Sequence, residues 1–425
     1  MPSKKTLTLL IAILVVAIGF LTTAAPAFAA NTEQVLYSFT GGTDGGYVAS
    51  PLIFDGNGNL YGTTGQGGAN GLGVAFELSP TNGGWTESVL YSFCAMSGCV
   101  DGAGPSSQLV FDSEGNLYGT TQNGGSGTAC SGHCGTVFEL SPTGGGAWTE
   151  TVLHSFQGRS DGFYPDGGVI LDAEGNVYGT TSEGGAADRG TVFELASGTW
   201  KETILHSFHV NTKDGTYPGA PLVFDANGNL YGTTQGGGSA GGYGTVFRLA
   251  PNGKEGWTET VLHSFTLKGI SSPYCGLVFD ANGNLYGTTR HSYRGYGGVF
   301  ELTPNAKGVW KATILHKFTA FGKGGDTPIA GLVSDSQGNL YGTTEEGGKG
   351  CAGDGCGVVF KLTPANGKWT ESTVFTFNDT DGARPFASLI LDASGNLYGT
   401  TYWGGSGSCS NDEITGCGTV FEIMP

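Results

Sequence analysis

Two sets of aspartates recur along this chain of 425 residues, and aspartate is a common cation ligand. The first set opens the string Asp-x-x-Gly-Asn. The residue two places on is Asn, Glu, Gln or Ser, so the regular alternating ligands of a calcium loop are missing. Aspartate first and glycine fourth are typical of a type I turn. We predict turns at Asp55, Asp112, Asp172, Asp225, Asp280, Asp335 and Asp392.

The second set precedes a proline in most copies and consists of Asp44, Asp101, Asp161, Asp214, Asp326 and Asp381. Six carboxylates around one mouth of a channel could bind a cation such as calcium, or repel anions. Loop aspartates also accept hydrogen bonds from backbone amides. Both interpretations stay open, and no other cofactor is predicted.

One break in the repeated pattern is aromatic. Tyr402 and Trp403 begin the longest loop of its type, and Trp403 is the one tryptophan outside the usual repeat position. Such a pair could stack on the apolar face of a sugar ring, or it could fold back over its own loop.

A second break is basic. One copy lacks the glycine pair found in the others and carries instead Arg290, His291, Tyr293 and Arg294. Guanidinium groups bind carboxylates in two-pronged hydrogen bonds, so an anionic ligand such as a uronate could sit here. The alternative explanation is that this copy has lost the sequence constraint that keeps the glycine pair in the others.

Catalytic signatures are weak. Residues 237–241 fit G-x-S-x-G, but they lie in a glycine-rich loop without the helix that a nucleophile elbow needs. Four histidines share one repeat position with Tyr37, Tyr91 and Phe375, which indicates packing: His154, His206, His263 and His316. We expect no catalytic residue. A polysaccharide-active lyase or hydrolase is the alternative, because carboxylates are plentiful.

Eight of the nine cysteines form close pairs in glycine-rich segments. In an exported protein this favours local disulfides over metal ligation. The predicted pairs are Cys94 with Cys99, Cys130 with Cys134, Cys351 with Cys356, and Cys409 with Cys417. Cys275 remains, and we expect it to be a small buried thiol.

The chain begins like a secretory signal peptide. Lys4 and Lys5 precede an apolar run, and Ala27-x-Ala29 fits a cleavage site, so residues 1–29 are expected to be removed. The net charge of −17 makes nucleic acid and anionic membranes poor partners. We expect a secreted, periplasmic or surface-exposed monomer.

Residues 30–425 are predicted to form one domain, an all-β seven-bladed propeller. The string FDANGNLYGTT occurs twice unchanged, and its tyrosine recurs seven times, 53 to 60 residues apart. Each copy has four strand-like segments, as at residues 221–225, 229–234, 244–250 and 257–265. Short segments rich in Val, Leu, Phe, Thr and Tyr between glycines are typical of antiparallel strands, and repeated sets of four indicate blades.

The order of segments predicts how the ring closes. The first segment after the signal peptide, residues 35–39, is a fourth strand, and the last, residues 418–424, is a third strand. The N-terminal strand can therefore complete the last blade and remove an open sheet edge. The loops between strands 2 and 3, and between strand 4 and the next blade, vary in length and share one face. We place any site there.

The repeats resemble those of the GloVer tandem-repeat proteins, a group of secreted bacterial proteins. The resemblance rests on GLVFDANGNLYGTT (276–289), GTVFEL (135–140) and WTETVLHSF (257–265), and it covers the whole chain after the signal peptide. It implies no enzymatic activity. It also implies one of several C-terminal surface anchors. Because no anchor is recognisable before Pro425, we do not expect surface attachment by that route.

The expected function is an exported binding scaffold, with an extracellular glycan or protein held on the variable face. The polysaccharide-active enzyme is one alternative, and a purely structural envelope protein is another.

Overall fold

The computed structural model describes residues 31–132, 134–210, 213–239, 241–253, 256–292, 296–319, 324–410 and 414–424. The predicted signal peptide lies outside these residues. The described chain forms seven four-stranded antiparallel sheets and contains no α-helix, which confirms the predicted seven-bladed propeller. None of its described residues belongs to a helix long and apolar enough to cross a bilayer.

Each blade has a short inner strand followed by three longer ones. The N-terminal strand β1 (Thr32–Ser38) belongs to blade 7. Blade 1 has β2 (Ile53–Phe54), β3 (Leu60–Thr64), β4 (Val74–Thr81) and β5 (Gly84–Ser92). Blade 2 has β6 (Val110–Phe111), β7 (Leu117–Thr121), β8 (Thr136–Gly144) and β9 (Ala147–Ser155). Blade 3 has β10 (Val169–Leu171), β11 (Val177–Thr181), β12 (Thr191–Ala196) and β13 (Lys201–Ser207).

In blade 4, β14 (Gly215–Thr216) precedes β15 (Val223–Phe224) and β16 (Leu230–Thr234), and β17 (Gly236–Gly237) precedes β18 (Thr245–Pro251) and β19 (Trp257–Ser264). In blade 5, β20 (Ile270–Ser271) precedes β21 (Val278–Phe279) and β22 (Leu285–Thr289), and β23 (His291–Ser292) precedes β24 (Gly298–Pro304) and β25 (Trp310–Lys317). Blade 6 has β26 (Val333–Ser334), β27 (Leu340–Thr344), β28 (Val358–Ala365) and β29 (Lys368–Thr376). Blade 7 has β30 (Ile390–Leu391), β31 (Leu397–Thr401) and β32 (Thr419–Met424) beside β1. β14 pairs with β17, β20 pairs with β23, and Ser97–Cys99 and Cys351–Gly353 form single 3₁₀ turns.

The first and last strands close the ring as predicted. β1 pairs antiparallel with β32, with Val35 opposite Phe421. Leu36 and Phe39 of this segment are buried in the cluster that joins blade 7 to blade 1.

Phenylalanine pairs join each blade to the next. Phe39 meets Phe76 of blade 1 edge to face, with ring centroids 5.1 Å apart. An equivalent pair occurs at all seven junctions, at 4.9 to 5.2 Å. The contact at the closing junction is therefore the same as the contact at the other six.

The repeated string is a structural device. A Cβ on Gly232 would lie 2.6 Å from Phe247 Cζ, so glycine is needed beneath this ring, and the same contact recurs in every blade. Asp225 Oδ1 accepts hydrogen bonds from the backbone of Asn227 and Asn229, and its Oδ2 accepts one from Tyr231. Gly228 completes the turn at φ 76°. Both carboxylate oxygens are occupied, so the predicted turn is confirmed.

The four predicted disulfides are present: Cys94–Cys99, Cys130–Cys134, Cys351–Cys356 and Cys409–Cys417. Cys275 is buried and unpaired, as expected. Its Sγ accepts a hydrogen bond from Thr288 N and donates one to Thr288 O, which matches the bonds between Ser50 Oγ and Thr63. Burial raises the pKa of this thiol. A buried thiol that stays protonated is unreactive.

Candidate functional site

A pocket of about 460 Å³ lies on the axis of the ring, and all seven blades contribute to its lining. Its wall consists mainly of the residues that lead from each 4–1 loop into the first strand. The first residues of three 2–3 loops complete it. The pocket therefore opens on the variable face, and its volume is typical of small-molecule sites.

The residue after the loop proline, or after Val48 in blade 1, lines this axial pocket in every blade. The seven copies differ at this position. They are Ala49, Ser106, Asp166, Gly219, Tyr274, Ile329 and Phe386. The position that follows the repeated GTT also varies, and it supplies Gln122, Arg290 and Tyr402. The axial pocket thus has variable side chains on a constant frame.

One side of the axial pocket is aromatic. The ring centroids of Tyr402 and Phe386 lie 5.1 Å apart, and those of Tyr402 and Tyr47 lie 5.3 Å apart. Trp403 does not line the pocket. It packs edge-on against Tyr47 at 4.8 Å and against the core of blades 6 and 7, and its backbone pairs with Ala383. Trp403 therefore supports the aromatic wall, and Tyr402 forms its surface.

Another part of the lining is polar. Gln122 Nε2 donates a hydrogen bond to Asp166 Oδ1 at 3.0 Å, and burial raises the pKa of Asp166 to about 6. Burial and the nearby Asp166 raise the pKa of Tyr274, and Arg290 acts in the opposite direction. Arg290 lies 3.6 Å from Glu345 Oε2, and its side chain is 44% exposed. The guanidinium is thus held at the edge of the pocket and open to solvent.

The rest of the predicted basic cluster is placed differently. His291 is exposed in the short sheet formed with Ile270–Ser271, and it does not line the axial pocket. Burial, and then Arg290, lower its pKa. Tyr293 and Arg294 lie outside the described residues.

The second set of aspartates lies in the 4–1 loops and not in the axial pocket. Asp101 accepts hydrogen bonds from Ala95 N, Met96 N and the Tyr91 hydroxyl. Backbone amides of their own loops likewise bind Asp44, Asp161, Asp214 and Asp381. Asp326 is not equivalent to the other five aspartates. Its backbone pairs with Glu346 as Ala103 pairs with Asn123, so Asp326 lies two positions after the place that corresponds to Asp101. Gly324 holds the matching position.

Each of these five aspartates lies near a strand-4 glutamate of its own blade. Burial and then the neighbouring aspartate raise the glutamate pKa to about 7 in Glu33, Glu87 and Glu259, and to about 8 in Glu150. The pKa of Glu202 is raised as well, while the pKa of its partner Asp161 is lowered. In all five glutamates Oε1 is buried without a hydrogen-bond partner. We refer to these as the Asp–Glu pairs. Blade 5 lacks both acids and has Gly269 and Ala312.

One Asp–Glu pair has ligand types suited to a metal. His154 Nε2 lies 3.4 Å from Asp161 Oδ1 and 3.8 Å from Glu202 Oε1. One nitrogen and two carboxylate oxygens at this spacing could hold a divalent ion such as zinc. For the Asp–Glu pair of blade 2, Tyr91 occupies the repeat position of His154, and its hydroxyl donates a hydrogen bond to Asp101. Packing and hydrogen bonding therefore suffice to explain this repeat position.

Sequence reasoning identified Tyr402 and Arg290 but missed Asp166, Tyr274 and Phe386. The signal was present, because the residue after the loop proline varies strongly between two conserved segments. It was hidden because a single aspartate, tyrosine or phenylalanine in a strand-like segment looks like ordinary packing.

No curated protein matches the sequence. Solved structures with similar architecture include a candidate 6-phosphogluconolactonase from Bacteroides uniformis, at 14% identity, a TM-score of 0.48, and coverage of 76% of this chain and 83% of the other. A gluconolactonase from Xanthomonas campestris matches at 14% identity, with a TM-score of 0.37 and coverage of 68% and 78%. Likenesses this distant carry no argument about function.

The family comparison is decisive. The model of the Gloeobacter/Verrucomicrobia repeat matches residues 18–146, 126–354 and 292–425. These overlapping matches cover nearly the whole chain, repeat after repeat, and the fold has the matching seven blades. The chain therefore belongs to the Gloeobacter/Verrucomicrobia repeat family.

Proposed function

We propose that this protein is an exported binding propeller that holds a carbohydrate ligand in its axial pocket. The observation that carries the proposal is the distribution of variation. The seven copies agree in the strands and turns, and they differ where their residues meet on the axis. Selection for folding alone explains the agreement but not why aromatic and polar side chains are gathered in one pocket.

The chemistry of the two walls supports a sugar. Tyr402 and Phe386 offer aromatic surface for the apolar face of a pyranose ring. Gln122 and Asp166 offer a donor and an acceptor for hydroxyl groups. Arg290, with its exposed guanidinium, suits a carboxylate such as that of a uronate.

Replacing Tyr402 with alanine is expected to weaken glycan binding about tenfold or more, which is about 1.4 kcal/mol. The substitution removes the central ring of the aromatic wall and leaves the fold intact, because Tyr402 is only half buried. Binding would be measured by glycan array and then by calorimetry on the glycans retained. Tyr217→Ala is the matched control, since Tyr217 lies on the same face but does not line the axial pocket. Equal affinities for both variants would contradict the proposal.

One observation favours polysaccharide cleavage as a second function. Asp166, with its pKa raised to about 6, shares the axial pocket with Tyr274 and Arg290. A carboxyl with a pKa of about 6 can exchange protons with a bound substrate. We expect Asp166→Asn to abolish any release of reducing ends from uronate-containing polymers while binding is retained. Wild-type protein that binds such polymers but releases no ends would remove this candidate.

A further inference from the structure

A groove of about 760 Å³ opens on the same face between blades 1 and 2. It is continuous with the axial pocket, because four residues line both. These shared residues are Ala49, Ser106, Gln122 and Tyr402. The pocket and the groove therefore adjoin, so a ligand in the axial pocket can extend outward along this groove.

The groove exists because two side chains are missing at this junction. At the junctions of blades 3 and 4, 6 and 7, and 7 and 1, the side chain before the loop proline, or before Val48 in blade 1, packs on the 2–3 loop of the preceding blade. Arg384, for example, bonds with Glu345 and Glu346. Tyr47 and Tyr217 make the corresponding contacts with Tyr402 and Arg189, respectively.

In blade 2 this position is Gly104, and the residue after GTT in blade 1 is Gly65. The other six copies carry a side chain at each of these two positions. Both sides of the contact are therefore absent at one junction only.

The backbone does not require these glycines. Gly104 has φ 65°, and the six non-glycine residues at the same position have φ between 54° and 61°. A Cβ on Gly104 would lie 3.6 Å from Asn123 Nδ2, which is ordinary contact distance. A Cβ on Gly65 would lie 3.6 Å from Tyr47 O. Side chains fit at both positions, so the open junction is a local feature of this sequence and not a demand of the fold.

The lining of the groove has a consistent chemistry. Gln66, Gln122 and Asn123 carry amides, and Tyr47 and Tyr402 carry rings. Aspartate, glutamate, lysine, arginine and histidine are absent from its lining within the described part of the chain. This stands out in a chain of net charge −17. Amides donate and accept hydrogen bonds, as hydroxyl groups do, so the groove matches an uncharged polyhydroxylated chain.

We propose that the groove between blades 1 and 2 binds successive units of a neutral carbohydrate chain whose terminal unit occupies the axial pocket. The ligand is then an oligosaccharide and not a single sugar. This inference rests on the proposed function of the axial pocket and specifies its ligand.

Closing the groove tests the proposal. Calorimetry would use four neutral series, the cellulose, xylan, mannan and galactan oligosaccharides of one to six units. For wild-type protein, affinity in at least one series is expected to rise tenfold or more with length. Gly104→Tyr restores the residue type found in blades 1, 3 and 4, and it is expected to abolish this rise while single-unit affinity stays within twofold. Gly65→Gln, the residue of blades 2 and 4, should act in the same direction.

Ser272→Tyr is the control, because it adds the same side chain at the junction of blades 4 and 5 and should leave the length dependence unchanged. Thermal unfolding would establish that each variant folds. Single-sugar binding without length dependence would overturn this inference and leave the proposed function standing. The inference would also be overturned if the wild-type protein bound none of the four series. It would likewise be overturned if the wild-type protein captured neutral peptides and Gly104→Tyr abolished that capture.

Discussion

Raising the pH from about 5 to about 8.5 is expected to lower the free energy of unfolding by roughly 5 kcal/mol, through the five Asp–Glu pairs. In each pair, burial and the neighbouring aspartate favour the protonated glutamate. A shift of one pKa unit in one carboxyl corresponds to about 1.4 kcal/mol. The figure assumes about 1 kcal/mol for each of the five glutamates, less than a one-unit shift, because solvent screening reduces the effect of partly exposed groups.

The direction follows from proton binding. Glutamate has an ordinary pKa of 4.5, and Glu33, Glu87 and Glu259 have folded-state values of about 7. The folded protein therefore binds these protons more tightly than the unfolded chain. The stabilisation is complete below about pH 4.5 and is lost as the pH rises to about 7 or 8.

Five of the turn aspartates behave in the opposite way. Burial raises their pKa, but hydrogen bonds from the turn outweigh it, so the pKa is lowered below 3.8 in Asp55, Asp112, Asp225, Asp280 and Asp335. Their contribution is present above pH 3.8 and is lost in stronger acid. Maximal stability is therefore expected near pH 4 to 5.

Glu202→Gln is the informative variant, because the amide stays neutral at every pH. We expect it to raise the free energy of unfolding at pH 8.5 relative to wild type and to weaken the pH dependence. Denaturant titrations at pH 5, 7 and 8.5 would measure this. Glu114→Gln is the control, because it removes a carboxylate from an exposed turn. It should change the free energy of unfolding about equally at all three pH values. Stability that rises from pH 5 to 8.5 in wild type would contradict the prediction.

Deleting residues 31–39 is expected to prevent folding of the monomeric ring. The deletion removes β1, exposes the full edge of β32 and leaves Phe76 without its edge-to-face partner. Losing a buried phenylalanine alone costs about 3–5 kcal/mol, and whole domains are stable by only about 5–15 kcal/mol. Circular dichroism and size-exclusion chromatography should show an unfolded or aggregated product.

A circular permutant separates strand loss from chain shortening. Moving residues 31–39 behind residue 424 through a short flexible linker restores β1 beside β32, and this protein is expected to fold. Phe39→Ala in the full chain provides an intermediate case, with a loss of about 3–5 kcal/mol. A folded, monomeric deletion variant would show that the ring does not depend on closure by β1.

Most of the fold was predictable because its determinants are local and repeated. The turn at Asp225 uses residues within six positions, and each disulfide joins cysteines at most eight residues apart. The closing strand was predictable for a different reason. The segments at residues 35–39 and 418–424 are complementary halves of a repeat that is complete elsewhere.

The site depended on contacts that sequence spacing does not reveal. Tyr402 and Trp403 are adjacent in sequence, yet one faces the axial pocket and the other packs beneath Tyr47, because successive side chains of an extended backbone point in opposite directions. The Asp–Glu pairs also join residues from a loop and an outer strand.

The sequence by itself determined the architecture of this protein: seven blades, a closing strand, four loop disulfides and a variable face. The tertiary structure alone decided which variable residues meet. Asp166 and Tyr274 lie 108 positions apart in the sequence and share one pocket, because the ring brings the same position of every blade to its axis. Short-range patterns fix strands and turns, whereas a pocket depends on the curvature of the whole ring.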